Sequence, residues 1–82
     1  GYGKYQLILE AMAIYEKQNV PLEIITRHLN VESNQISTNI GTLIDKEIII
    51  RVDRSIYSFA DPLLKEYIKS FGVIKLKDND DD

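Results

Sequence analysis

Tyr5, Ile8, Leu9, Met12 and Tyr15 follow one another at intervals of three, one, three and three. At 3.6 residues per turn these intervals return side chains to one face, so the segment reads as an amphipathic helix with Glu10, Glu16, Lys17 and Gln18 turned to water. Asn19-Val20-Pro21 ends it, because proline disfavours the helical conformation of the residue before it and is itself suited to open a helix. A second helix is therefore predicted from Pro21, burying Leu22, Ile25 and Leu29, with Asn30 closing it in the left-handed conformation. Ser33 is the expected cap of a third helix, Asn34 to about Lys46, whose Ile36, Ile40, Leu43 and Ile44 lie at i, i+4, i+7 and i+8. The turn between these two helices is short and sharp.

The period then changes. Ile48–Val52 and Ile56–Ala60 are rich in β-branched and aromatic residues and flank Asp53-Arg54-Ser55, the pattern of a small hairpin. Asp61-Pro62 pairs a capping carboxylate with a first-turn proline, and Leu63, Leu64, Tyr67, Ile68 and Phe71 make the stripe of a last helix closed by Gly72. The fold class is mainly α with a small β-hairpin, one domain over residues 1–72. Val73 to Lys77 follow as a short stretch that suits either a fraying extension or an edge strand. Asp78, Asp80, Asp81 and Asp82 follow as a self-repelling tail, expected to be disordered.

That tail alters the reading of charge. The chain carries 10 basic and 13 acidic residues, net −3, but four of the acids sit in the tail, so the body is close to neutral. A neutral body attracts polyanions only weakly. With no cysteine there is neither a disulfide framework nor a thiolate metal site. The longest uninterrupted isoleucine run is Ile48-Ile49-Ile50, far short of the roughly 20 residues of a membrane-spanning helix. These features point to a cytoplasmic protein without a membrane partner.

The outward side of the third helix is the informative surface. Opposite its apolar stripe stand Asn34, Gln35, Thr38, Gly41, Thr42 and Asp45, with Ser37 and Asn39 on the flanks. A solvated helix face is ordinarily furnished with Lys, Glu and Arg; Ser, Thr and Asn are poorer helix formers and need another reason to be there. Asn and Gln pair two-pronged with adenine, while Ser and Thr donate to phosphate or touch a thymine methyl. The candidate DNA-binding set is Ser33, Asn34, Gln35, Ser37, Thr38, Asn39 and Thr42, joined by Arg27, Lys46, Arg51 and Arg54 for phosphates or the minor groove. The same residues also suit the plain polar exterior of a small domain.

Helix, helix, sharp turn, helix, hairpin, helix resembles the winged helix-turn-helix family. The resemblance is carried by Glu23-Ile24, Leu29, Val31, Ser33, Ile36, Ser37, Ile40, Leu43 and Ile48-Ile49. It implies that the third helix enters the major groove of double-stranded DNA and that the hairpin wing meets the backbone or minor groove. Two positions depart from the family pattern: Ile25 stands where a small residue is common, and Glu47 where glycine often precedes the hairpin. A narrower likeness lies in Ile56-Tyr57-Ser58-Phe59-Ala60-Asp61-Pro62-Leu63-Leu64, similar to the winged-helix domain C-terminal to the ATPase core of archaeal signal-transduction-type ATPases. It implies an excised fragment of such an ATPase, with the ATPase core as a partner. A homodimer, a protein-interaction module and a small free-standing repressor are the alternatives.

No catalytic constellation is legible. Gly1-Tyr2-Gly3-Lys4 lacks the spacing of a phosphate loop and is followed by Tyr5 in place of Ser or Thr. Asp78, Asp80 and Asp82 have the alternate spacing that opens a calcium loop but lack its glycine and terminal glutamate. His28 is the single histidine and has no histidine partner. No enzyme activity, cofactor or metal is expected.

Overall fold

The computed structural model describes residues 3–72. The extension and the acidic tail lie outside the described residues. Four helices and three short strands follow one another as α1 (Lys4–Ile14), β1 (Val20–Pro21), α2 (Leu22–Leu29), α3 (Ser37–Asp45), β2 (Ile49–Asp53), β3 (Ile56–Phe59) and α4 (Pro62–Phe71), with a 3-10 turn at Ser33–Gln35 before α3. The architecture is mainly helical with a small antiparallel sheet of strand order β1-β3-β2.

Helix α1 buries Ile8, Leu9 and Met12 as its spacing predicts, along with Ala11 and Ala13. It stops at Ile14, earlier than expected, and Tyr15 is extended. Residues 15–19 carry the chain to Val20, which pairs with Tyr57, while Pro21 pairs with Ile56. This ladder corrects the placement of Pro21. Instead of opening α2, it is the extended residue in front of the helix, at φ −65° and ψ 145°. A two-residue strand has too few positions to show an alternation, and only its partner β3 reveals it.

Asn30 closes α2 at φ 58°, as expected. The Asn30 N–H donates to the Arg27 carbonyl at 3.3 Å and the Val31 N–H to the Thr26 carbonyl at 3.0 Å, the paired bonds of a Schellman ending. The next cap differs from expectation. Glu32 holds the N-cap position, not Ser33: its carbonyl accepts from the Gln35 N–H at 3.0 Å, and the Gln35 side chain accepts from the Glu32 N–H at 2.8 Å. The third helix is accordingly two pieces, the 3-10 turn and α3, separated at Ile36 (φ −123°, ψ 3°). Ile36 is fully buried, and that bend lets its side chain enter the core ahead of Ile40 and Leu43.

Glu47 has φ 61°, the left-handed conformation that glycine adopts without strain. Its N–H donates to the Ile44 carbonyl at 2.9 Å and the Ile48 N–H to the Leu43 carbonyl at 3.0 Å, a second Schellman ending. The residue that departs from the family's glycine therefore adopts a glycine's conformation. In the hairpin, β2 and β3 pair from Ile49↔Phe59 to Asp53↔Ile56, with an irregularity between Arg51 and Asp53. Asp61 caps α4, accepting from the Leu63 N–H at 2.9 Å, and Gly72 closes it at φ 82°.

The core gathers Ile8 and Met12 from α1, Val20, Ile25, Ile36, Ile40, Leu43, Ile49, Tyr57, Phe59 and Ile68. Helix α4 contributes less than its stripe predicts: Ile68 is buried and Leu64 half-buried, whereas Leu63, Tyr67 and Phe71 are exposed. It packs on α1 and the end of β3, a contact wide enough for only one edge of the helix. Tyr5 is exposed for a related reason, standing in the first turn of α1 beyond the reach of its neighbours.

Candidate nucleic-acid interface

Of the residues read as one outward face, Asn34 and Gln35 stand exposed in the 3-10 turn; along α3, Ser37, Thr38 and Asp45 are exposed, and Asn39, Gly41 and Thr42 are half-buried. Gly41 sits within the helix, and nothing lies within 4 Å of the position its Cβ would take. Glycine inside a helix costs about 0.5–1 kcal/mol relative to alanine. No neighbour in the fold requires that cost, so the missing side chain leaves the backbone open to whatever approaches from outside.

The hairpin turn lies against the start of α2 and the 3-10 turn. A groove of about 330 Å³ is lined by Pro21, Leu22, Glu23 and Thr26 of the α2 start, by Ser33 of the 3-10 turn and by Ser55 of the hairpin turn. The Leu22 N–H donates to the Ser55 carbonyl at 2.8 Å, fastening the hairpin turn to the start of α2. Arg54, beside Ser55, is exposed, and its backbone N–H donates to the Asp53 carboxylate at 2.7 Å.

Several predicted contact residues already have work inside the fold. The Gln35 Oε1 accepts from the Glu32 N–H at 2.8 Å, which fixes that end of the amide. The Ser37 hydroxyl donates to the Asn34 carbonyl at 3.4 Å. Arg27 lies 3.6 Å from Glu23, a pair largely in water and easily exchanged for another partner. Arg51 stacks over the Tyr57 ring, 5.7 Å from its centroid. The side chains of Asn34 and Thr38, and the cations Lys46 and Arg54, have no side-chain hydrogen bond or ion pair among the described residues.

Charge is mixed across this surface. Glu23 lines the groove, Glu32 caps the turn and Asp45 shares the outward face of α3, so each opposes phosphate close to the cations. The structure also shows what the sequence did not: Lys4 is held in the fold, its ammonium donating to the Gln35 carbonyl at 3.3 Å. A lysine followed by tyrosine gives no signal of that role. His28 lies 3.9 Å from Glu10, a surface contact between α2 and α1. Among the described residues no group of three His, Asp or Glu side chains is placed to hold a metal ion, and no helix is long and apolar enough to cross a membrane.

Fold and surface together define a small helical domain that offers a polar, glycine-bearing helix beside a tethered hairpin. The chain belongs to the family described as a domain of unknown function (DUF8462), whose model matches residues 3–68. Neither a curated protein nor a solved structure matches it.

Proposed function

We propose that this chain is a non-catalytic, DNA-binding winged-helix module, with α3 laid in the major groove and the hairpin as its wing. The observation that carries the reading is the outward face of α3, where Ser37, Thr38 and Thr42, with Asp45 as the one charge, stand around a glycine that no protein neighbour requires. Major-groove readers need that combination: donors and acceptors that reach base edges, and a helix backbone able to approach closely. Asn34 and Thr38 are the base readers in this proposal, Arg54 and Lys46 the phosphate contacts. Arg27 and Arg51 join them once released from Glu23 and Tyr57. Helix α2 crosses the backbone, as the first helix of such a pair does.

Within a longer protein the module would position DNA for an ATPase core, as the likeness of Ile56 through Leu64 implies. Binding by the isolated domain is weak and strongly salt-dependent, because few cations face the duplex. The test is a low-salt titration against a broad pool of duplexes, repeated at rising salt. Binding to none of them overturns the proposal. A second reading, a protein-interaction module, draws on a separate observation, the exposed Leu63, Tyr67 and Phe71 of α4.

A further inference from the structure

Asn34 and Gln35 are consecutive, both exposed in the 3-10 turn, and carry the same carboxamide, yet the fold leaves them different ends of it. The Gln35 Oε1 accepts from the Glu32 N–H at 2.8 Å, so the oxygen lies against the backbone of its own turn. The reverse orientation would set amide hydrogens against a backbone N–H, donor on donor. What remains to Gln35 is Nε2, which donates to no group among the described residues. Asn34 accepts from the Ser37 hydroxyl only through its backbone carbonyl, and both ends of its amide are open.

A second donor reaches the same turn. The Lys4 ammonium donates to the Gln35 carbonyl at 3.3 Å, and an ammonium has two further hydrogens to give. Its charge offsets that of Glu32, the acidic residue at the head of the turn. Around Gln35 the surface therefore offers hydrogens, with the one side-chain oxygen of its amide already committed.

We infer that Gln35 is a specificity-determining residue that selects guanine, acting as a donor only. The inference rests on the DNA reading of α3 and adds a base to it. The residues at the start of a recognition helix are those that meet base edges, and Ser33–Gln35 is that start. In the major groove adenine offers the N7 acceptor beside the N6 donor, so it takes both ends of an amide. Guanine offers N7 and O6, acceptors alone; thymine offers O4 beside a methyl group, and cytosine only the N4 donor. Turning the Gln35 oxygen to adenine would strand the Glu32 N–H at the helix start, where no intrahelical partner exists. Guanine is thus the edge on which Nε2 finds two acceptors, and cytosine the one it rejects. Asn34, with both ends open, keeps the pairing that adenine needs, so two neighbouring amides divide the two purines between them.

The experiment selects preferred sites for the full chain from a random pool of duplexes at low salt, for the parent and for Gln35→Glu. Glutamate keeps an oxygen for the Glu32 N–H, as a regular member of capping boxes, and removes both amide hydrogens. The parent is expected to select guanine at one position, with binding about tenfold weaker when adenine replaces it. Exchange of that guanine for its deaza analogue, in which carbon takes the place of N7, weakens binding by a smaller factor. Gln35→Glu loses the guanine preference, becomes insensitive to the analogue and turns toward cytosine, whose N4 donates to a carboxylate. Its thermal unfolding coincides with that of the parent. The added charge lowers affinity for all duplexes alike, so the preference at that position is the quantity to read. A parent that binds duplexes with no position preferring guanine overturns the inference and leaves the DNA reading standing. An unchanged preference in Gln35→Glu does the same. Should Gln35→Glu not fold, the deaza analogue decides, since undiminished binding by the parent also overturns the inference. A parent that binds no duplex overturns the DNA reading and this inference with it.

Discussion

Gln35 and Glu32 are bonded in both directions: the Gln35 Oε1 accepts from the Glu32 N–H at 2.8 Å while the Gln35 N–H donates to the Glu32 carbonyl at 3.0 Å. This reciprocal box starts the 3-10 turn that precedes α3. Gln35, read from sequence as a base contact, is first of all a structural residue. Gln35→Ala removes one half of the box and is expected to cost about 0.5–2 kcal/mol of stability. In a domain of this size each kcal/mol lowers Tm by roughly 4–8 °C, so a thermal melt is sufficient to see it. An unchanged Tm would show that the box contributes nothing in solution.

Gly41→Ala has two opposed effects. With nothing within 4 Å of the new methyl group, the fold gains about 0.5–1 kcal/mol from helix propensity, measured by urea unfolding. The same methyl stands on the surface proposed to meet DNA and lowers affinity there. Higher stability with undiminished binding removes Gly41 from the interface.

If α3 and the hairpin meet DNA as proposed, Thr38→Ala and Arg54→Ala separate base reading from phosphate holding. The first changes preference among duplexes, with a direct base contact worth about 1–3 kcal/mol of discrimination. The second weakens binding to all duplexes alike and reduces the slope of log affinity against log salt by about one. Neither side chain is buried, so unfolding curves should coincide with that of the parent. The comparison is affinity for several duplexes at two or more salt concentrations; a uniform loss from Thr38→Ala places that side chain on the backbone instead.

Glu47→Gly should stabilise the domain. A side chain held in the left-handed region costs roughly 1–2 kcal/mol that glycine avoids, partly offset by glycine's greater freedom in the unfolded chain. The net expectation is a gain of about 0.5–1 kcal/mol in chemical denaturation. A loss would mean that the Glu47 side chain makes a compensating contact.

The helical elements were legible because their signals are local and repeated. Ile36, Ile40 and Leu43 return to one face whatever surrounds them, Asn30 tolerates the left-handed turn, and Asp61-Pro62 announces a helix start in two residues. What escaped depends on partners distant in the chain. Val20 and Pro21 are a strand only because β3 lies beside them, and α1 stops at Ile14 because the chain must travel to that ladder. Glu32 rather than Ser33 is the cap because the box needs Gln35 three residues later, a criterion met at position 32 and not at Ser33. The α4 stripe is identical in pattern to a buried one; periodicity reports which residues share a face, never how many neighbours that face meets. On the proposed interface, spacing located the outward residues of α3, but the partners already held by Gln35, Arg27 and Arg51 emerge only in three dimensions.

The bond from the Leu22 N–H to the Ser55 carbonyl makes the hairpin and the α2 start a single caliper. Hairpin tips that hang free adjust their reach to whatever they touch. Here the jaw carrying Arg54 is riveted through β1 to the start of α2, so its place beside that helix is set before any ligand arrives. A caliper of fixed opening measures width. Under the proposed DNA reading, such a caliper would favour sequences whose grooves already match its span and penalise those that must be deformed to fit, selecting by shape at base pairs it never touches.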